Sequence, residues 1–461
     1  MTFHLIYVSI RILSLESITY CEKTFFLGIN DCDSGRKFAA IFFFEKKYKF
    51  AKRLCQKRYF HSMADQKILP LRGAIQHYDW GGFDFISDLV GIENVESEPF
   101  AELWMGTHAS APSQVIQKEQ VIPLHQWIAK APEVALGEKV INHFGKTLPY
   151  LFKILDVRKM LSIQAHPDKD QAWKGFKREN DRGIPLDAPN RTYKDTNHKP
   201  EIMVALTDFW LLHGFRSIWE IERTLRETPE FASLRTTFKD HNIQQLYRSV
   251  MEMPQSEVDD ILEPLQERLE NAVLTDKKAS DYWAARAFQD HPRKDGGCDR
   301  GIFSIYWLNI VHLFPGEGIY QGAGVPHAYM EGVNVELMAN SDNVFRGGLT
   351  PKHIDVPELL KSLVFEPVTP QILQGEQISP TERVYFTPAP DFELSEITLS
   401  DAQLHSNKNV YAPEIFIVLD GEAEVNHSLT FKKGDIFLVL PGATYEIRPD
   451  EPTILYKATI P

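Results

Sequence analysis

Short apolar runs separated by Gly, Pro, Asn and Asp make up most of the chain from Ile68 onward, and they predict a fold built mainly from β-strands. Between Ile68 and Leu206, the segments KILPLRG, LPYLFKILDV and KPEIMVAL are the clearest strand candidates. The pattern returns from about Thr381, in EIFIVLDGEAEV and LTFKKGDIFLVLPGATYEI. The Asp-Gly, Lys-Gly-Asp and Pro-Gly turns of these segments predict a second sandwich or jelly roll.

A helical module of about ninety residues is predicted between the two β regions. Ser217 and Glu220 have the spacing of a capping box, and apolar residues follow them at helical intervals. Further helix starts are predicted at Thr228-Pro229, at Ser256 to Asp259 and at Ser280. Pro264 is expected to kink or split the helix that contains it.

Strand signals resume at Ile302, because IYWLNIVHLF is rich in β-branched and aromatic residues. Pro315 to Gly318 supplies the next turn. Near the C-terminus, the segment around Tyr445 contains no histidine that could hold a metal. The second β region is therefore predicted to be structural and free of metal.

Charge and composition exclude several classes of function. The formal net charge of −13 argues against a nucleic-acid partner. No apolar run approaches the roughly 18–20 residues of a membrane span. The four cysteines form no CxxC pair and no disulfide framework, which favours a reducing, cytoplasmic setting.

Residues 1–62 differ from the rest of the chain. They contain eleven Lys/Arg and five Asp/Glu, so they carry +6 and the remainder carries −19. Three of the four cysteines fall here, and the apolar residues follow no sustained period. A targeting peptide and a packed extension are alternatives, but we expect a leader from translation upstream of a start at Met63, outside the native fold.

Three segments, two before the predicted helical module and one after it, carry side chains that suit a divalent metal. Gln164 and His166 are two residues apart, so on a strand their side chains share a face. Glu201 precedes an apolar strand, where a carboxylate is costly unless it is paired or ligated. His327 follows a turn. Such a set suits zinc, although non-haem iron and manganese also accept two histidines and a carboxylate.

Six motifs follow one another from Met63 onward: QHYDWGG, AELWMGTHAS, LSIQAHPDK, NHKPEIMVAL, VPHAYMEG and VELMANSDNVFRGGLTPKHIDVPELL. In these motifs, their order and their spacing, the chain resembles the type I phosphomannose isomerases, zinc enzymes of the cupin superfamily. The resemblance implies two cupin or jelly-roll β-barrel domains plus an α-helical domain. The implied parts are a catalytic barrel at 63–206 and 301–352, a helical insertion at 207–300 and a second barrel at 353–461.

The resemblance also implies the reaction and its cofactor. A zinc ion, one per chain, would be held by Gln164, His166, Glu201 and His327. The chain would interconvert mannose 6-phosphate and fructose 6-phosphate through an enediol, supplying mannose metabolism and GDP-mannose synthesis, as a cytoplasmic monomer.

Other polar residues in the shared motifs are candidates for contact with the substrate. The forked guanidinium of Arg346 suits a phosphate or an enediolate oxygen. The base is left open among several groups. The predicted catalytic residues are Arg346, Lys199, Glu336, Asp342 and His108. The predicted substrate- or phosphate-binding residues are Ser162, Lys153, Lys352 and Trp80, with Tyr78 and Tyr329 as further candidate walls.

Two other classes of function compete with the isomerase. One is a non-catalytic sugar-binding cupin, which the complete ligand set and Arg346 argue against. The other is a cupin dioxygenase with two histidines and a carboxylate around iron. Gln164 as a fourth ligand and the lysines in the shared motifs fit an anionic sugar better than oxygen activation.

Overall fold

A computed structural model describes residues 67–117, 120–400 and 402–461, together with the backbone of two short strands nearer the N-terminus. The chain divides into two units, Met1–Asp65 and Gln66–Pro461. In the first unit, the described feature is an antiparallel pair, β1 (Arg11–Ile12) and β2 (Cys21–Glu22). The prediction for residues 1–62 otherwise lies outside the described residues.

The second unit is mainly β. Its first strands are β3 (Ile68–Arg72), β4 (Ala74–Gln76), β5 (Glu102–Gly106), β6 (Gln114–Gln117), β7 (Gln120–Pro123), β8 (Tyr150–Val157), β9 (Ile163–Ala165), β10 (Glu201–Ala205), β11 (Phe209–Phe215), β12 (Leu308–Leu313), β13 (Gly318–Gln321), β14 (His327–Ala339) and β15 (Phe345–Gly348). The remaining strands are β16 (Glu376–Ser379), β17 (Glu382–Tyr385), β18 (Glu393–Leu399), β19 (His405–Asn407), β20 (Glu414–Asp420), β21 (Glu422–Val425), β22 (Leu429–Lys432), β23 (Ile436–Val439), β24 (Tyr445–Pro449) and β25 (Thr453–Thr459).

Helices accompany the strands and concentrate between β11 and β12. They are α1 (Phe85–Leu89), α2 (Leu124–Lys130), α3 (Pro132–Phe144), α4 (Lys169–Asp181), α5 (Ile218–Glu227), α6 (Ile243–Met251), α7 (Gln255–Glu270), α8 (Ser280–Asp290), α9 (Ile302–Trp307) and α10 (Val356–Ser362), with a 3₁₀ helix at Pro229–Arg235. The predicted combination of a mainly β fold with a helical region is confirmed. Among the described helices, none has the length and apolar character needed to cross a bilayer.

A ten-stranded antiparallel sheet contains the segments predicted to bind metal. Its main path runs β12-β11-β14-β8-β5-β4; β9 and β10 also pair with β14, and they pair in turn with β15 and β13. The long strand β14 pairs with β8, β9, β10 and β11, so it is the common neighbour of segments far apart in sequence. Its length allows one strand to align several functional side chains.

The second β region forms a nine-stranded sheet and a four-stranded sheet. The larger runs β16-β17-β18-β25-β20-β23-β3-β6-β7, and the smaller runs β19-β24-β21-β22. Leu71 of β3 pairs with Ile436 of β23, so strands from the start of the unit complete a sheet built from its end. The predicted domain boundaries stay predictions. β3, β6 and β7 precede residue 353 in the sequence but belong to this larger sheet, so the sheet is not confined to residues 353–461.

The helical region shares an apolar core with strands β9, β11, β14 and β15, and its helix boundaries match the sequence in part. Ser217 and Glu220 form the predicted capping box at the start of α5. The start at Thr228-Pro229 leads into a 3₁₀ helix rather than an α-helix. Pro264 does not split α7, because four buried side chains on one face hold the helix against its neighbours: Val258, Leu262, Leu265 and Leu269.

The strand predicted from Ile302 is wrong for its first six residues, which form α9. All six side chains are buried, and they pack in the core shared with α5, α7 and α8. β-propensity reflects the fit of a side chain to a half-buried pleated surface, and that advantage is absent inside a helical core. The strand begins at Leu308 instead.

Charged side chains are buried inside the second β region. The Lys457 Nζ lies 2.5 Å from Glu382 Oε1, with both side chains less than a tenth exposed. The segment around Tyr445 holds no histidine, but β19 places the buried His405 ring 6.0 Å from the Tyr445 ring. Lys457 supplies a cation to this cluster, so the Glu382 carboxylate is balanced from within the chain.

His405 should make the stability of the fold depend on pH. Burial lowers its pKa to about 4, with Glu382 opposing and Lys457 reinforcing the shift. In the unfolded chain this imidazole has a pKa of about 6.5, so on acidification it binds a proton before the imidazole of the folded protein does. The free energy of unfolding therefore has its full value above pH 6.5 and falls by up to about 3 kcal/mol towards pH 4. We expect His405→Gln to flatten this slope, measured by urea unfolding at a series of pH values.

The exposed His427 provides the control for loss of one histidine, because its side chain is 66% exposed. His427→Gln should leave the slope of the parent protein in place. A His405→Gln slope equal to that of the parent would contradict the assignment.

Candidate active site

Three buried side chains meet where β9, β10 and β14 adjoin. His166 directly follows β9, Glu201 begins β10 and His327 begins β14. One potential ligand atom from each lies within 4.8 Å of the others, and among the described residues this is the one such group of three or more His, Cys, Asp or Glu. The register that pairs His327 with Gln164 brings the predicted ligand segments together.

The outer ring nitrogens of both histidines are already engaged. His166 Nδ1 lies 2.9 Å from the Asn343 carbonyl oxygen, and His327 Nδ1 lies 2.9 Å from that of Val325. A carbonyl can only accept, so each Nδ1 carries the proton and each Nε2 keeps a lone pair. This second contact is the usual way in which a metal-binding histidine is oriented.

Three buried polar atoms remain without a hydrogen bond: His166 Nε2, Glu201 Oε2 and His327 Nε2. Both Nε2 atoms lie 3.3 Å from a Glu201 oxygen, but neither forms a hydrogen bond with it. Buried polar atoms normally have a partner, and three that converge on one point fit a bound cation. The donor set of two nitrogens and a carboxylate suits zinc.

The protonation states of His166 and Glu201 favour metal binding. Burial lowers the pKa of His166 to about 4, which leaves the ring neutral near pH 7. Burial alone would raise the pKa of Glu201, but Lys199 and His166 outweigh it and hold the pKa well below its usual range. The Lys199 Nζ lies 3.1 Å from Glu201 Oε1.

A cavity of about 950 Å³ adjoins this trio. The trio is at most 2% exposed in its side chains, and its neighbours Gln164 and Lys199 line the cavity wall. The other predicted site residues on this wall are Ser162, Lys153, Lys352, Trp80, Tyr78, Arg346, Asp342 and His108.

Arg346 and Lys352 both line the wall, and neither forms an ion pair with a carboxylate among the described residues. Arg346 lies opposite Gln164 in the β15–β9 pairing. Burial lowers the pKa of Arg346, and burial together with Arg346 and Lys194 lowers the pKa of Lys352. Unpaired positive charge in a partly buried wall favours an anionic ligand.

His108 and Asp342 form a pair on the same wall. The His108 Nε2 lies 3.1 Å from Asp342 Oδ2, and this contact is the main reason that the pKa of Asp342 lies below its ordinary value. The His108 Nδ1 lies 2.8 Å from the Ser110 hydroxyl. The ring is therefore held at both nitrogens.

Two predicted residues lie behind the wall. Glu336 is 3% exposed and does not line the cavity; its carboxylate contacts Lys153 and accepts a hydrogen bond from Tyr329. Tyr329 is also buried in the core and is not part of the wall. Any influence of these two side chains on a ligand must pass through the residues in front of them.

Sequence reasoning missed several parts of the wall. Glu102 and Trp104 of β5 line the cavity, and so do Asp290 at the end of α8 and the loop that follows it, with Arg293 and Arg300. Glu102 had a usable signal, since a carboxylate within an apolar strand is as costly as that of Glu201. The loop had none, because its residues resemble those of an ordinary solvated turn.

Comparisons with known proteins find relatives over most of the length of the chain. A family model described as phosphomannose isomerase type I, catalytic domain, matches residues 68–218. The mannose-6-phosphate isomerase of Salmonella typhimurium is 36% identical over 402 residues, covering 86% of this chain and 97% of the relative. The human mannose-6-phosphate isomerase is 36% identical over 360 residues, covering 72% and 82%.

A solved structure gives the same result for the fold. The Salmonella typhimurium mannose 6-phosphate isomerase, bound to its substrate fructose 6-phosphate and to zinc, superposes with a TM-score of 0.76 at 33% identity. The match covers 86% of this chain and 99% of that one. From the identity to these relatives over most of its length, the chain belongs to the type I phosphomannose isomerase family.

Proposed function

We propose that the chain is a zinc-dependent isomerase that interconverts mannose 6-phosphate and fructose 6-phosphate. The observation that carries this proposal is the convergence of three unpartnered buried atoms, from His166, Glu201 and His327, beside a cavity with unpaired cations. Relatives named mannose-6-phosphate isomerase, one of them solved with zinc and fructose 6-phosphate, support the choice of metal and substrate.

His166, Glu201 and His327 would hold one zinc ion per chain, with Gln164 as the fourth protein ligand. Gln164 is the ligand candidate that also reaches the cavity wall. When bound, the ion supplies a Lewis acid that polarises the oxygens on C1 and C2 of the sugar.

The reaction moves a proton between C1 and C2 through an enediol, so the pocket must orient the sugar and hold charge on its oxygens. Arg346 and Lys352 bind the phosphate in this proposal, with Ser162 as a hydrogen-bond donor. Trp80 and Tyr78 stack with ring centroids 5.8 Å apart and form a wall for the sugar.

The group that moves the proton stays a prediction among Lys199, His108 and Asp342, which all line the cavity. Glu336 contributes from behind Lys153. For the domains, the proposal is a catalytic cupin barrel within 63–206 and 301–352, a helical insertion at 207–300 and a second, metal-free cupin barrel at 353–461 whose larger sheet also includes β3, β6 and β7. We also propose that the protein is a cytoplasmic monomer with no nucleic-acid partner.

Removing one ligand charge should remove the metal and the activity together. Glu201→Gln keeps the shape of the side chain but leaves two neutral imidazoles without an anion, so we expect zinc content well below one per chain. Formation of fructose 6-phosphate should fall by more than about 100-fold. Elemental analysis measures the zinc content, and a coupled assay measures the formation of fructose 6-phosphate.

A chelator provides a second arm of this test. Dialysis of the parent protein against a strong chelator should abolish activity, and added zinc should restore it. Full activity in metal-free parent protein, or normal zinc content in Glu201→Gln, would contradict the ligand assignment.

Arg346 should act mainly on the phosphate. A hydrogen bond to a charged group is worth roughly 1.5–3 kcal/mol, so Arg346→Gln should raise KM for mannose 6-phosphate about 10- to 100-fold. Mannose lacks the phosphate, so its slow turnover should be affected far less. Steady-state kinetics with both sugars measure the difference.

Arg448→Gln, which removes a surface guanidinium from its pair with Glu446, is the matched control and should leave KM unchanged. If Arg346→Gln lowered the activity towards mannose as strongly as the activity towards mannose 6-phosphate, Arg346 would act at the reacting oxygens instead.

A further inference from the structure

A buried carboxylate of the cavity wall has no role in the metal or phosphate sites described above. Glu102 begins β5, and its side chain is 10% exposed. It lines the cavity together with Lys153, Gln164 and Lys199. A carboxylate in such a position is costly unless its charge is balanced and its oxygens are bonded.

Glu102 is fixed by two neighbours. Its Oε2 accepts a hydrogen bond from Trp104 Nε1 at 2.5 Å and lies 3.3 Å from Lys153 Nζ. Trp104 pairs with Lys153 across the β5–β8 ladder, so the three side chains share one face of the sheet. The backbone register thus sets the distance between carboxylate and ammonium.

Lys153 is held from its other side by Glu336. Its Nζ donates to Glu336 Oε2 at 3.0 Å, and Glu336 Oε1 in turn accepts from the Tyr329 hydroxyl at 2.9 Å. Lys153 pairs with Glu336 in the β8–β14 ladder. One ammonium therefore lies between two buried carboxylates supplied by the strands on either side.

This arrangement determines the charge of Lys153. Burial alone would lower its pKa, but Glu102 and Glu336 outweigh that effect and raise the pKa above its ordinary value. The side chain stays protonated at every pH where the enzyme would work. Of the three N–H donors on an ammonium, two face carboxylates and the third remains for a ligand in the cavity.

The cluster has a buried side and a cavity side. Glu336 and Tyr329 lie behind the wall, whereas Glu102, Trp104 and Lys153 form part of it. A purely structural ion pair has no need of a cavity-facing carboxylate with its own indole donor. A fixed cation at the wall is the kind of group that stabilises negative charge on a reacting oxygen.

We infer that Glu102 is a positioning residue, which fixes the Lys153 ammonium in the cavity wall so that it donates to a sugar oxygen of the substrate. The inference rests on the proposed isomerase function and adds to it a residue that acts through Lys153. Trp104 has a supporting part, since its indole N–H locks the Glu102 carboxylate.

Glu102→Gln tests this role, because the amide keeps the shape and can still accept from Trp104. We expect kcat for mannose 6-phosphate to fall about 10- to 100-fold, with KM changed by less than about threefold.

The chain offers a matched control in Glu382→Gln, which breaks the buried pair with Lys457 in the second β region. This variant should lose stability but keep the parent kcat. Trp104→Phe is a second probe, useful where Glu102→Gln folds poorly. It removes the indole donor and should lower kcat about 3- to 10-fold.

A double-mutant cycle with Lys153→Met separates positioning from a general effect on the pocket. If Glu102 acts through Lys153, the loss in the double variant should equal that of Lys153→Met alone. Additive losses, a parent-like kcat in Glu102→Gln, or equal effects of Glu102→Gln and Glu382→Gln would overturn the inference. A parent protein that isomerises no hexose phosphate would instead overturn the proposed function.

Discussion

A carboxylate buried between two imidazole rings requires a cation, and much of the structure follows from that requirement. Isolated negative charge in a protein interior costs several kcal/mol, even after relaxation. Glu201 is 2% exposed and its Oε2 has no hydrogen bond, so the chain alone leaves this charge incompletely satisfied. The Lys199 ammonium covers one oxygen. The remaining atoms are arranged for an ion that the fold has to receive from solution.

The sheet around β14 turns this requirement into a workable site. The strand provides His327 at its start and Glu336 nine residues later, and it pairs with β8, β9, β10 and β11. Antiparallel register places neighbouring side chains about 5 Å apart, which is the spacing that ion pairs and metal ligands need. The same strand therefore aligns the candidate metal ligands and the buried cluster around Lys153. Distances within the site depend on hydrogen-bonded ladders and much less on flexible loops.

Sequence reasoning reached the strands, the capping box at Ser217 and the ligand candidates, because each of these has a local signal. Alternation and turn residues mark the strands, and the shared motifs connect His166, Glu201 and His327 across long intervals. The helix at Ile302–Trp307 was missed because its residues favour strands when judged alone, and only the surrounding helical core decides otherwise. The placement of His405 beside Tyr445, and of Glu102 beside Lys153, depends on the pairing of distant strands. No local pattern encodes such a pairing.

The pairing of β3 with β23 has a consequence for the synthesis of the chain. Leu71 leaves the ribosome long before Ile436, its partner in the ladder. At roughly 5–20 residues per second, the interval is on the order of tens of seconds. During that time an apolar strand has no partner along one edge and is open to pairing with other chains. The nine-stranded sheet can close only after β23 has been synthesised, so its assembly comes long after β3 has emerged, and a chain shortened before β23 would keep that edge exposed.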